Sequence, residues 1–245
     1  MKIIISPAKK MVREETLSPI TVPVFLDRTQ LLLDELRSQS YEELKTLLSC
    51  NDQIAHLNYE RYQNMDLDRN TSPALLSYSG IQYQYMAPSV FEESYYEYAK
   101  EHLRILSGFY GLLRPFDGVV PYRLEMCAKL KVGSFSSLYE FWSSSLYDEL
   151  TKDDSLILNL ASDEYAKTIT KYKNTSTTII TCIFGSLIKG KVVEKGVYVK
   201  MARGEMVRYL AENNIQDIEG IKSFNRLGYH YSIEKSSQAY LVFLS

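Results

Sequence analysis

Four short stretches of this 245-residue chain bring cations, carboxylates and glycines together where an apolar run begins or ends. Ser6-Pro7-Ala8-Lys9 follows Ile3-Ile4-Ile5, residues 159–165 (NLASDEY) follow Leu156-Ile157-Leu158, and Lys200-Met201-Ala202-Arg203-Gly204 precedes Arg208. The fourth, residues 103–126, reads LRILSGFYGLLRPFDGVVPYRLEM. Arginine presents a planar fork of donors that suits phosphate or carboxylate, so Arg114, Arg123, Arg203 and Arg208, with Lys9 and Lys200, are what an anion would need. Gly108 and Gly111 leave backbone N–H groups unobstructed, and a turn built on them has two readings: a main-chain phosphate cradle or a plain helix C-cap. Glu125, Asp163 and Glu164 are the opposite case. A phosphate avoids them, whereas general acid or base chemistry would use them; the plainer reading puts Asp163 and Glu164 in a helix first turn. Tyr122, beside Arg123, adds a phenol.

The elements that must hold these groups follow from periodicity. Residues 2–6 and 155–160 read as short buried strands, each running into one of the polar stretches. Residues 25–38 carry Leu32, Leu33 and Leu36 on one helical stripe, Ser40 to Glu43 form a capping box opening a helix through Leu48, and Asn51 caps a third through about residue 63. Residues 11–24, with Pro19 and Pro23, look irregular. Residues 73–86 alternate with period two around Gly80, which predicts a strand pair or bulged strand. Helical spacing over 94–106 predicts a helix ending at the LSGFYG turn, and 136–150 predicts one helix with Trp142 in its core stripe. Residues 177–184 and 192–199 read as strands pairing around 185–190, and 229–233 and 239–244 as the last strands. The spacing also predicts a helix over 202–213, putting Lys200 and Arg203 at its start. The macrodipole disfavours cations there by a few tenths up to about 1 kcal/mol, so an internal carboxylate such as Glu125 or an external phosphate is expected opposite them. The whole is a mixed α/β pattern without regular βαβ alternation.

Composition bounds the function. With 45% hydrophobic and 24% charged residues the chain is not of the disordered class, and no apolar run is long enough to span a bilayer. No secretory signal core follows the N-terminal Met, which points to the cytoplasm. Cys50, Cys127 and Cys182, like His56, His102 and His230, are too scattered for a disulfide framework, a zinc site or a histidine metal site. Buried free thiols are expected, and only a carboxylate metal site stays open. The net charge of -2 hides a segregation: residues 1–13, 100–131 and 167–208 carry +4, +3 and +7. If they converge, they make one basic face on an acidic body; otherwise they are solvated patches.

Taken together the stretches resemble the YaaA family of peroxide-stress proteins from end to end. The residues that carry the resemblance are Ile5-Ser6-Pro7-Ala8-Lys9, residues 103–126, Leu138-Tyr139-Glu140-Phe141-Trp142, residues 159–165, Lys200 to Gly204 with Arg208, and Phe224-Asn225 through Gly228-Tyr229. The resemblance implies a single compact mixed α/β (α+β) domain over 1–245, of unusual topology, with a basic cleft and a helix-hairpin-helix-like element at 106–111. It also implies a role in surviving hydrogen peroxide by limiting iron-driven damage, with sequence-nonspecific binding of duplex or branched DNA. Carried onto this chain, the DNA- or anion-binding set is Lys9, Gly108, Gly111, Arg114, Tyr122, Arg123, Lys200, Arg203 and Arg208. Two departures stand out: Pro115 and Pro121 would cut short the second helix of the hairpin, and Lys10 follows Lys9 where the family commonly has a small polar residue.

Three functions follow. A DNA binder would use the cations and the glycine turn. An enzyme acting on a small anionic or nucleobase-like substrate would use Glu125, Asp163 or Glu164 in the same cleft. Direct iron sequestration has no Glu-x-x-His pair or clustered Cys and His to support it, so no metal ligands and no cofactor are expected. Ser162 lies in no nucleophile elbow and has no histidine near it in sequence.

Overall fold

Residues 1–14 and 17–245 are described in a computed structural model; of the irregular stretch expected over 11–24, Glu15 and Thr16 lie outside the described residues. The strands, in chain order, are β1 (Lys2–Ile5), β2 (Lys10–Met11), β3 (Ser72–Pro73), β4 (Tyr78–Ser79), β5 (Leu103–Ser107) and β6 (Gly111–Leu113). They continue with β7 (Gly118–Val119), β8 (Leu156–Leu160), β9 (Thr178–Ile188), β10 (Lys191–Val193), β11 (His230–Tyr231) and β12 (Tyr240–Leu244).

Ile3, Ile4 and Ile5 have no exposed surface: β1 is a central strand with a parallel neighbour on each side, β5 and β8, and both of its faces are covered. An uninterrupted apolar run is what a strand covered on both faces requires. Ile5 is level with Ile105 in β5 and with Leu160 in β8, so Ser6 and the residues after Leu160 emerge at the same end of the sheet. Five strands are parallel, in the order β12-β9-β8-β1-β5; β11 and β6 add antiparallel edges, and β10 folds back on β9 as a hairpin. Numbered along the chain, the parallel strands run 2-1-3-4-5 from β5 to β12. The chain leaves β1 toward one edge and β8 toward the other, which opens a crevice between their carboxyl ends.

Helices α1 (Leu26–Ser38), α2 (Tyr41–Leu48) and α3 (Asp52–Asn64) form where the sequence places them, with the Ser40/Glu43 capping box and the Asn51 cap both made. Beyond them are α4 (Ala74–Ser77), α5 (Ile81–Met86), α6 (Glu93–His102), α7 (Leu138–Trp142), α8 (Ser145–Leu150), α9 (Asp163–Thr170), α10 (Gly196–Glu212) and α11 (Ile218–Lys222). One apolar cluster runs from Ile3 to Phe243, with Trp142 fully buried in it as expected.

Four sequence expectations are corrected. Residues 73–86 are mostly the short helices α4 and α5, because helices of four and six residues are too brief for a 3.6 period to show. Residues 103–107 are not the end of a helix but the strand beside β1; a short apolar run fits either element until its partner is known. Residues 136–150 are two helices, broken at Ser143 with its φ of 47°. Finally α10 begins at Gly196, its Val197-Tyr198-Val199 turn overriding strand propensity. Lys200 and Arg203 therefore lie inside the helix, and the macrodipole argument for an anion does not apply to them.

Candidate functional site

LSGFYG, residues 106–111, closes the β5–β6 hairpin and is wholly buried. The helix-hairpin-helix expected at 106–111 is thus strand, turn and strand. Its glycines solve a packing problem. A β-carbon on Gly108 would stand 2.5 Å from the Leu124 carbonyl oxygen, and Gly111 has a φ of +76° with Trp142 and Leu146 within 3.0 Å of where a β-carbon would be. Gly108 lets the segment 120–126 cross directly over the hairpin.

That segment has no regular structure, so side chains satisfy its backbone. Val120 N–H donates to the Tyr110 hydroxyl at 3.1 Å, and Tyr122 N–H to Met11 Sδ at 3.4 Å. The buried Tyr62 of α3 donates its hydroxyl to the Arg123 carbonyl at 2.5 Å and accepts the Arg123 N–H at 3.2 Å. Tyr122 exchanges hydrogen bonds with Ser107 at 2.6 Å and Tyr78 at 2.8 Å. Burial pushes its phenol up to about 12, the hydroxyls of Ser107 and Tyr78 pulling the other way, so it stays a neutral donor.

The segment forms one wall of a cavity of about 400 Å³ at the carboxyl ends of β1 and β8. Lys9 and Lys10 line it from the β1 side, Arg123 and Glu125 from the crossing segment, Glu164 from α9, and Lys200 and Arg203 from α10. Gln82, Tyr83, Tyr122 and Tyr165 complete the interior. At its floor Ser162 N–H donates to Ser6 Oγ at 2.9 Å, the two serine hydroxyls are 3.2 Å apart, and Tyr83 donates to the Ser6 carbonyl at 3.0 Å. Gly204 sets the approach of α10, since a β-carbon there would fall 2.0 Å from the Gln82 carbonyl oxygen. That closeness seats Arg203 beside α5.

The charges are unevenly paired. Glu125 Oε1 takes Lys9 Nζ at 2.7 Å and Arg123 Nη2 at 3.4 Å, so it is Glu125, not Asp163 or Glu164, that pairs with these cations. Glu164 Oε1 accepts the Cys127 N–H at 3.1 Å. Arg203 Nε is buried with no hydrogen-bond partner, and no ion pair reaches its guanidinium among the described residues. Burial holds that guanidinium below its ordinary value, with Glu194 and Asp163 opposing only through space. Arg123 Nε and Gln82 Nε2 are likewise buried and unsatisfied. All three atoms are donors.

The comparisons identify the lineage. Residues 1–235 match the family described as Peroxide stress protein YaaA. A UPF0246 protein of Desulfitobacterium hafniense is 59% identical over 245 residues, covering 100% of this chain and 98% of its own. UPF0246 proteins of Lachnoclostridium phytofermentans and Agathobacter rectalis are 53% and 51% identical, covering 100% and 99% of this chain and 96% and 98% of their own. The chain belongs to the YaaA peroxide-stress family.

In this YaaA-family chain the cavity brings together Lys9, Tyr122, Arg123, Glu125, Glu164, Lys200 and Arg203 of the residues expected from sequence. Asp163 is exposed and outside the lining, though its field reaches Arg203. Gly108 lies beneath the crossing segment and Gly111 against Trp142 and Leu146, both outside the lining. Arg114 is elsewhere, spent on the fully buried Asp117, its Nη2 at 2.9 Å from Oδ1 and also donating to the Val22 carbonyl at 2.7 Å. Arg208 is spent on Glu212 at 2.6 Å. Both partners are legible locally, three and four residues on, and turn two expected ligand contacts into structural pairs. Gln82 and Tyr83 were missed, lying in a stretch read as strand, and a lone glutamine among apolar residues gives no signal. Cys127 is exposed, against the expectation of buried thiols. Donor atoms of Glu125, Cys127 and Glu164 lie within 4.8 Å of one another, the set among the described residues that has metal-ligand character. Burial and Glu164 push the thiol up, and Glu125 is already engaged by Lys9 and Arg123.

Proposed function

We propose that this peroxide-stress family member works in the cytoplasm by holding phosphate groups at the cavity between β1 and β8, the phosphates being those of DNA bound without regard to sequence. Arg203 carries the reading. Its Nε is buried without an acceptor while the side chain as a whole is half-buried; a buried donor left unpaired costs about 1–3 kcal/mol, and folds keep such a group where a ligand supplies the acceptor. Lys9, Lys10 and Lys200, all exposed, surround it and supply further contacts for a backbone that carries more than one phosphate. Covering DNA in this way would limit iron-driven damage to it.

The test is binding of a labelled duplex across a salt series. The slope of log K against log salt is expected to fall by roughly one unit in Arg123→Ala and again in Arg203→Ala. Binding insensitive to salt and to both substitutions would overturn the proposal. A second reading, an enzyme acting on a small anionic or nucleobase-like substrate, is favoured by Glu125 and Glu164 in the same cavity, carboxylates that a phosphate clamp does not need. Peroxide survival abolished in Glu164→Gln cells, with DNA affinity unchanged, would select it.

A further inference from the structure

We infer that the cavity receives one nucleotide unit, its phosphate among Arg203, Lys10 and Lys200 and its base toward Glu125 and Glu164. This rests on the anion reading above and names what the anion is attached to.

The lining asks for two opposite things. Buried donors on Arg203, Arg123 and Gln82 have no acceptor, which calls for a ligand rich in acceptor oxygens. Carboxylates disfavour a phosphate, so Glu164, and Glu125 beyond its contacts with Lys9 and Arg123, suit an N–H or O–H donor instead. A ligand that joins an anion to ring amines within one small volume meets both demands. The rest of the lining is largely aromatic and apolar: Tyr83, Tyr122 and Tyr165, with Pro7, Ile81 and Leu124. They suit a flat ring better than a sugar phosphate, which would leave that surface uncovered.

Size and position agree. About 400 Å³ lies within the range of single small-ligand sites and admits no duplex. A strand can therefore place a unit beside Arg203 only by turning it out of the stack. The crevice between the carboxyl ends of strands whose connections diverge is also where doubly wound sheets bind nucleotides. A second, open groove of about 850 Å³ shares Arg123 and Glu125 with the cavity and is also lined by Glu35, Glu42 and Glu43. That groove mixes these glutamates with Lys129 and Lys131, whereas the Lys10 and Lys200 side carries cations alone, which favours a continuing phosphate chain there. A free nucleotide and one extruded from a strand share this chemistry.

The full chain is tested with three probes: inorganic phosphate and deoxyadenosine monophosphate in equilibrium dialysis, and a duplex carrying one mismatched 2-aminopurine in fluorescence. Either the monophosphate binds about tenfold or more tighter than phosphate, or 2-aminopurine brightens several-fold on binding. The first result alone assigns the free nucleotide, the second alone the extruded one. Glu164→Gln keeps the oxygen that accepts the Cys127 N–H and is expected to lose about tenfold of whichever response is seen while salt-sensitive duplex binding persists. Glu125→Gln repeats the test should that variant not fold. A response unchanged in both variants overturns the placement of the base. Equal affinity for phosphate and monophosphate, with 2-aminopurine silent in a bound duplex, overturns the nucleotide inference and leaves the anion reading standing. Failure of all three probes to bind removes the anion reading itself.

Discussion

In the C-terminal half of α10, Arg208 Nε meets Glu212 at 2.6 Å, and Arg226 binds Glu205 at 2.9 Å and Glu212 as well, its guanidinium 5.3 Å from the Tyr209 ring centre. In the N-terminal half, Lys200 and Arg203 line the cavity and no carboxylate among the described residues touches either. Formal charge in the sequence already leans one way, +2 over residues 196–203 against -1 over 204–212, but it does not say which carboxylate reaches which cation. What separates them is the supply of carboxylates: where the fold brings glutamates, an arginine is structure, and where it withholds them, an arginine is a binding group. Arg114 and Arg123 repeat the contrast. Arg114 is the one cation paired with the buried Asp117 among the described residues, whereas Arg123 shares Glu125 with Lys9 and keeps an unsatisfied Nε.

The contrast breaks most completely at the residue that seats the open half. Gly204→Val would drive a side chain into the Gln82 carbonyl and is expected to cost about 3 kcal/mol or to prevent folding. Urea denaturation measures it, and a wild-type midpoint would mean that α10 need not lie so close to α5. Next, the two halves should answer the same substitution with opposite signs. Arg226→Met, which leaves Glu205 and Glu212 short of a partner, is expected to lose about 1–2 kcal/mol, and Arg203→Met to gain up to about 1 kcal/mol by removing a half-buried donor that no carboxylate pairs, while weakening anion binding. Thermal melting with and without phosphate would show both; equal destabilisation would mean that Arg203 has a structural partner after all.

The smallest effect sharpens the paired half by pH. Burial acts to raise the Glu212 carboxyl, but the Arg208 and Arg226 hydrogen bonds together outweigh it and hold the group below its ordinary value of 4.5. A carboxylate lowered in the folded state stabilises above that value and loses its contribution as pH falls through the lowered one. Wild type should therefore exceed Glu212→Gln in melting temperature at neutral pH, with the gap closing below pH 4.5. A gap that persists in acid would assign the effect to packing rather than charge.

Much of this site was legible one residue at a time. The buried strand Lys2–Ile5, the strand Leu156–Leu160 and the polar residues that follow each were readable because an apolar run and its end are local facts. Lys9, Arg123, Glu125, Glu164, Lys200 and Arg203 were singled out because their types fit anion or acid–base chemistry. The failures share one cause, dependence on a partner far along the chain. LSGFYG reads as a cradle or a helix cap until Leu124 is known to cross it, and 103–107 reads as helix until Ile3 is known to pair with Leu103.

By itself, then, the sequence determined the inventory: a mixed α/β chain, three cation-rich blocks, and the family to which they belong. Only the tertiary structure decided which cations stay open and which glycines serve packing. It also decided that the serines after two distant strands meet at one crevice. The physical reason is that a charge becomes a site through what it lacks. Partners such as Tyr62 for Arg123 or Gln82 beside Gly204 are 61 and more than a hundred residues away, where no local pattern reaches.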